Sequence, residues 1–216
     1  MARPRKPLLS ADRIVAAALV LVDEEGLGAV STRRLAAELG VSGPSLYNHF
    51  RTKDQILEAV ADAVSAQVDL SMFEDGRDWR RALHDWAVSY REALTAHPHL
   101  VPVLAQGPGR RPAGLRLADA VFGAMVAAGW PPAQATSIGA LMRYFVLGSA
   151  LGSFAGGFVD DVSAYDPADY PHLGQAHLLA ERQEQIDARA FETGLSALLD
   201  GLALQHARLT GAGTPS

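Results

Sequence analysis

The apolar residues of this chain recur at three- and four-residue spacings along most of its length, and that period decides what the chain can become. Ile14, Ala17, Ala18, Leu21 and Val22 fall on one face of a helix, as do Ile56, Leu57, Val60, Val64 and Val68. Near the end, Phe191, Leu195, Leu198, Leu199 and Leu202 form a third such seam. No stretch of useful length alternates with the period of two that a half-buried strand requires, and there is no internal repeat. The chain is therefore expected to be all-α, with about nine or ten helices in its 216 residues.

Capping residues set the expected boundaries. Ser10 opens a helix through Glu25, closed by Gly26 and Gly28; Ser31 opens a second, Thr32 to Leu39, with Gly40 at its stop. Ser42 opens a third, whose first turn holds Gly43, Pro44 and Ser45. Proline is no breaker there, because first-turn N–H groups have no intrahelical partner to lose. Thr52 opens a long fourth helix, expected to reach about Met72 and to break at Asp75-Gly76. A fifth is expected from about Asp78 to His97, with Trp79, Leu83, Trp86, Tyr90 and Leu94 along one face. Pro98 and Pro102 read as bracketing a short turn, and Gly107 to Pro112 as a loop. Helices follow at about 112–128 and 132–158, the second opened by Pro131-Pro132, then a polar loop at 160–171 and a last helix at about 183–208.

Composition removes several kinds of chemistry. The absence of cysteine excludes disulfides, thiolate metal sites and cysteine nucleophiles, and fits a reducing, cytoplasmic setting. The first residues are basic but hold no uninterrupted apolar core, so they are not expected to be a secretory signal. The uncharged run from Tyr144 to Val159 is only 16 residues long and is flanked by Arg143 and Asp160-Asp161, too short for a membrane span. No G-x-S-x-G, phosphate-binding loop or dinucleotide fingerprint is present, and no enzyme is expected. His97-Pro98-His99 holds two imidazoles at a chelating spacing but lacks a third ligand nearby in sequence; no metal or cofactor is expected.

Charge is divided along the chain. Residues 1–53 carry eight basic and five acidic residues, net +3, whereas the remainder carries 11 basic and 19 acidic, net −8. A basic head on an acidic body suggests that only the head meets a polyanion. Within that head, two helices joined through Leu39-Gly40-Val41-Ser42 have the spacing of a helix-turn-helix. Leu35, Ala36, Leu39, Val41, Leu46 and Phe50 can wedge the two helices together, leaving Ser42, Gly43, Ser45, Tyr47, Asn48 and His49 outward. A recognition helix needs that division, because base edges lie in a groove about 12 Å wide and are met by polar tips near the helix N-terminus. Arg33, Tyr47, His49 and Lys53 suit phosphate oxygens. A hairpin with capping serines and no ligand would share part of this pattern.

The run STRRLAAELGVSGPSLYNHFRTKDQIL, within Ile14 to Leu57, resembles the DNA-binding domain of the tetracycline-repressor (TetR) family of bacterial transcription regulators. The resemblance implies backbone contacts from Thr32, Tyr47, His49 and Lys53, and places Arg33, Gly43, Pro44, Ser45 and Asn48 at or near bases. Gly43 and Asn48 stand where the tetracycline repressor has larger side chains, so its operator sequence does not carry over. REALTAHPHLVPVLAQGP, AMVAAGWPPAQA and YFVLGSALG resemble the family's ligand-binding and dimerising body. A homodimer through the helices at about 132–158 and 183–208 is implied, and Gly148, Gly152 and Gly156, four apart, would admit a neighbouring helix closely.

The expected division is a DNA-binding head at 1–53, including a basic arm at Arg3, Arg5 and Lys6, and an effector-binding and dimerising body at 54–210. Trp86, Tyr90, Leu104, Phe122, Met125, Met142 and Phe145 are the expected apolar lining of an effector site, with His97, Gln106 and Arg143 as its polar groups. The same aromatic stripe would also serve a plain core. The expected partners are a palindromic double-stranded DNA operator and an apolar or amphipathic small molecule that releases it. Repression is what the resemblance favours; effector-independent binding and activation are the alternatives.

Overall fold

The computed structural model describes residues 9–74, 78–107, 109–153, 166–173 and 182–211. Among these there are nine α-helices and no strand: α1 (Ala11–Glu25), α2 (Thr32–Leu39), α3 (Gly43–Leu46), α4 (Lys53–Ser65), α5 (Trp79–Thr95), α6 (Val101–Ala105), α7 (Pro112–Ala127), α8 (Pro132–Ala150) and α9 (Gln183–Leu209). Three 3₁₀ turns lie at Leu27–Ala29, Ser71–Phe73 and Pro98–Leu100.

Local chemistry accounts for most of the boundaries. The hydroxyls of Ser10, Ser31 and Thr52 accept from the backbone N–H groups of Arg13, Arg34 and Gln55 at 3.1–3.2 Å, so each meets one of the orphan donors of a first turn. Gly40 closes α2 in the left-handed region (φ 65°), and its N–H and that of Val41 return to α2 carbonyls.

Three boundaries differ from the sequence expectation. First, α4 stops at Ser65, not near Met72. The Ser65 hydroxyl bonds back to Ala61 O at 2.9 Å, and i→i+3 turns at Gln67 and Val68 tighten the exit. The Asp69 carboxylate then accepts from the N–H and hydroxyl of Ser71, offering the backbone an alternative to continued helix. Second, α8 ends at Ala150 rather than 158, with the Ser149 hydroxyl on Val146 O and glycines at 148 and 152 that hold a helix weakly. Residues 154–158, Gly156 among them, lie outside the described residues. Third, the segment between Pro98 and Pro102 is not merely a turn: Pro102 stands in the first turn of α6, tolerated there for the reason that admits Pro44 in α3. The basic arm, Asp75-Gly76 and residues 160–165 also lie outside the described residues; Asp166 to Tyr170 form the turn expected there.

Packing divides the chain into two compact units, residues 1–68 with 93–118, and residues 69–92 with 119–216. The first unit holds α1 to α4, the end of α5, α6 and the start of α7. Its core is built on Ile14, Leu35, Leu46, Val60, Leu94, Leu100 and Val101, all fully buried, each contributing about 1.5–3 kcal/mol of transfer free energy relative to exposure. Asp62 on α4 caps the first turn of α7, accepting from Ala113 N at 2.7 Å and Gly114 N at 3.4 Å. The neighbouring acid Glu58 meets the buried Arg111 at 3.4 Å.

In the second unit, Trp79, Trp130 and His206 cluster with ring centroids 5.0–5.6 Å apart, and His206 Nε2–H donates to Ala128 O at 2.8 Å. Helices α8 and α9 pack together through Phe145 and Phe191, whose rings stack at 5.4 Å. On α8 and its C-cap residue Leu151, the side chains of Leu141 and Tyr144, then Gly148 and Leu151, follow one another at spacings of three, four and three. Tyr144 is 68% exposed, Leu151 61%, and a Cβ on Gly148 would meet nothing within 4 Å. Among the described residues no helix is long and apolar enough to cross a membrane.

Candidate nucleic-acid interface

The short helix α3 is held from beneath. Leu46 is fully buried, with Leu35 and Ala36 of α2 buried opposite and Leu39, Val41 and Phe50 half-buried. Pro44 starts the helix, and turns through Tyr47, His49 and Phe50 carry it on: His49 N and Phe50 N both return to Leu46 O at 2.9–3.0 Å. Four helical residues cannot hold themselves together in water, so α3 owes its shape to this packing. What is left outward is a polar edge: Ser42, Pro44, Tyr47, Asn48 and His49 are exposed, and Gly43 and Ser45 are half-buried beside them.

One expectation within this edge is corrected. Ser42 has the extended backbone of a cap, but its hydroxyl makes no bond to the α3 backbone. It lies 2.7 Å from the hydroxyl of Ser45 instead, so the two side chains form a pair at the open end of the helix. Such a pair presents both donor and acceptor capacity to a base edge.

The flanking cations sit on helix starts. Thr32 is half-buried and Arg33 exposed in the first turn of α2, and Arg33 has no hydrogen-bond or ion-pair partner among the described residues. Arg34 turns the other way, to Glu25 at 3.0 Å. Lys53 opens α4, and its ammonium donates to Leu27 O at 2.9 Å. An ammonium has three donors, so this bond fixes the side chain while leaving two for a phosphate.

The residues expected to line an effector site divide between the two units, with His97, Leu104 and Gln106 in the first and the others in the second. Trp86, Tyr90, Met125 and Met142 are buried, Arg143 and Phe145 half-buried, and Phe122 is exposed at 38%. The rings of Trp86 and Tyr90 lie 5.5 Å apart on successive turns of α5, and the buried Trp86 indole N–H has no acceptor among the described residues. Gln106 is exposed after α6. His97 and His99 do not share a ligand: the first faces Asp23 and the second Val22 O. In the second unit, two clefts of about 360 and 400 Å³ surround His84 and Asp85, and none of the expected lining residues borders either.

Sequence reasoning missed the acids that organise the first unit: Asp23, Glu58 and Asp62. Each lies on the helical face next to an apolar stripe, a position that ordinary solvated carboxylates share, so only their distant partners distinguish them.

Residues 14–60 match the family described as bacterial regulatory proteins, tetR family, and residues 74–206 match the tetracyclin repressor-like C-terminal domain. The tetracycline repressor protein class A from transposon 1721 of Escherichia coli is 34% identical over 200 residues, covering 90% of this chain and 91% of that protein. An HTH-type transcriptional regulator of Saccharopolyspora erythraea is 36% identical over 144 residues, and the match spans 67% of this chain but only 61% of that relative. Among solved structures, the Streptomyces coelicolor protein ActR in complex with actinorhodin superimposes with a TM-score of 0.72 at 30% identity, covering 96% of this chain and all of that one. BioQ with its double-stranded DNA operator superimposes with a TM-score of 0.63 at 26% identity over 91% of this chain and 99% of that one.

Proposed function

Because the chain belongs to the TetR family of bacterial regulatory proteins, we propose that it is a cytoplasmic, homodimeric repressor that binds a palindromic operator and is released by a small molecule. Residues 1–53 form its DNA-binding head and 54–210 its effector-binding and dimerising body. The observation that carries this reading is the edge of α3, where Ser42, Tyr47, Asn48 and His49 stand exposed over the fully buried Leu46. Asn48, Ser45, Gly43, Pro44 and Arg33 read bases; Thr32, Tyr47, His49 and Lys53 hold phosphates.

Dimerisation is supported by the unfilled stripe of α8, where Leu141, Tyr144 and Leu151 flank Gly148. A two-fold dimer would set its recognition helices about 34–36 Å apart, matching successive major grooves on one face of DNA. The effector would occupy the body near Trp86 and Tyr90, whose aromatic surface suits an apolar or amphipathic molecule. Actinorhodin, named with ActR, and the tetracyclines of the class A repressor's name are the first compounds to try. An effector that lowers operator affinity a hundredfold must prefer the released conformer by about 2.7 kcal/mol.

The test is selection of bound sequences from randomised duplex DNA at fixed salt. A palindromic consensus is expected. A folded dimer that enriches no sequence would overturn the reading.

A further inference from the structure

The last turn of α1 and the turn that follows it receive bonds from three other elements. The imidazole of His99 donates through Nδ1 to Val22 O at 2.8 Å, a carbonyl that also accepts the Gly26 N–H. That of His97 faces both oxygens of the Asp23 carboxylate through Nδ1, at 2.9 and 3.0 Å. From the opposite side, Arg34 of α2 reaches Glu25 at 3.0 Å, and Lys53 of α4 reaches Leu27 O at 2.9 Å. Residues 22–27 thus stand between the corner that leads into α6 and the starts of the two helices that carry Arg33 and Lys53.

We propose that this turn is the junction through which the corner at 97–99 sets the position of the DNA contact at Lys53, with Asp23 and His97 as its positioning pair. The proposal rests on the DNA-binding reading above. A route confined to α4, the only covalent link from the head onward, would not need these bonds.

Three features favour the junction. The Asp23 and His97 side chains are 32% and 14% exposed, whereas the outward pair Arg34–Glu25 is nearly half exposed on both sides, so solvent weakens the inner link less. The corner grips α1 through a side chain and a backbone carbonyl together, so a shift of 97–99 cannot be absorbed by a rotamer change at Asp23 alone. Leu27 opens the 3₁₀ turn across the single residue Gly26, whose N–H is bonded to Val22 O of α1, so its carbonyl is tied to the helix end and takes the Lys53 ammonium with it. The imidazole is held on its far side as well, with the Gln67 amide 3.5 Å from Nε2.

The experiment is a double-mutant cycle on operator affinity, using the consensus selected by the wild-type dimer. His97→Gln, Lys53→Ala and the double variant are titrated with that duplex over a salt series. Separately, His97→Gln and Lys53→Ala are each expected to weaken binding by about three- to tenfold and to lower the salt slope by about one unit, the share of one phosphate contact. The double variant is expected to bind no worse than Lys53→Ala alone, because the route ends at that lysine. Asp23→Asn, which keeps an acceptor for the imidazole but removes the charge, is expected to behave like a milder His97→Gln, and serves in its place if that variant does not fold. A double variant whose loss is the product of the single losses overturns the junction, as does wild-type affinity in His97→Gln. A merely structural role for His97 would lower stability without erasing its effect in the Lys53→Ala background. If the wild type enriches no sequence at all, the DNA-binding reading falls and this proposal with it.

Discussion

Gly194 of α9 lies directly under the ring of Phe145 of α8: a Cβ built on the glycine would stand 2.7 Å from Cε2 and 2.9 Å from Cζ of that ring. The approach is closer than side chains tolerate, and Phe145 has little freedom to yield, because its ring is stacked on Phe191 at an interplanar angle of 18°. The α8–α9 pair is therefore set by an absent side chain, at a residue whose helix would otherwise gain from having one.

That relation predicts opposite signs for two chemically identical changes on α9. Gly201→Ala, where a Cβ meets nothing within 4 Å, should raise stability by up to about 1 kcal/mol through helix propensity. Gly194→Ala should lower it by about 1–3 kcal/mol through overpacking. Urea denaturation of both variants measures the difference, and Phe145→Leu should rescue the second.

Ser31 and Ser42 look alike in sequence, each ahead of a helix, but the structure gives them different work. Ser31 caps α2 through the Arg34 N–H, while Ser42 pairs with Ser45 and caps nothing. Ser31→Ala should cost about 1 kcal/mol of stability. Ser42→Ala should change stability by less than about 0.5 kcal/mol, as an exposed surface substitution does, yet alter operator preference. Thermal unfolding of the two variants separates these outcomes.

Leu46 is the floor of the polar edge of α3. Replacing this fully buried side chain by alanine should cost about 2–5 kcal/mol and loosen Tyr47, Asn48 and His49 together. Asn48→Ala, on the exposed side, should leave stability unchanged and relax preference at one base pair, a loss of about 1–3 kcal/mol confined to that position. Binding to a set of single-base operator variants tests this; a uniform loss across the set would assign Asn48 to the backbone.

Features that depend on a few adjacent residues were legible in the sequence, and features that depend on distant ones were not. Ser10, Ser31, Thr52 and Gly40 act within one helical turn, and each stands where its chemistry predicts. The wedge of Leu35, Ala36 and Leu46 follows from periodicity and forms as read. The early end of α4 was hidden, because its apolar stripe continues to Val68 while Ser65 and Asp69 bend the backbone through hydrogen bonds that hydropathy ignores. The pairing of His97 with Asp23 was hidden too, because the two lie 74 residues apart, where no local pattern could point from one to the other. Pro102 was misjudged for a different reason: the rule that admits proline to a first turn, used at Pro44, applies there equally.

The stripe on α8 carries the last prediction. Among the described residues Tyr144 is the most exposed of the large apolar side chains, and with Leu141, Leu151 and the open Gly148 it forms one face of a helix whose other face is already buried. A partner copy would cover that face, and a carboxylate placed in its centre would be desolvated without a counter-charge. Tyr144→Glu should therefore break the dimer while leaving each subunit folded, since the Tyr144 side chain is 68% exposed in the single chain. The monomer holds a single recognition edge, so affinity for a palindromic operator should fall at least a hundredfold, while binding to a half-site stays as weak as before. Sedimentation measures the first effect and operator titration the second. A Tyr144→Glu variant that remains dimeric would place the interface elsewhere on the body.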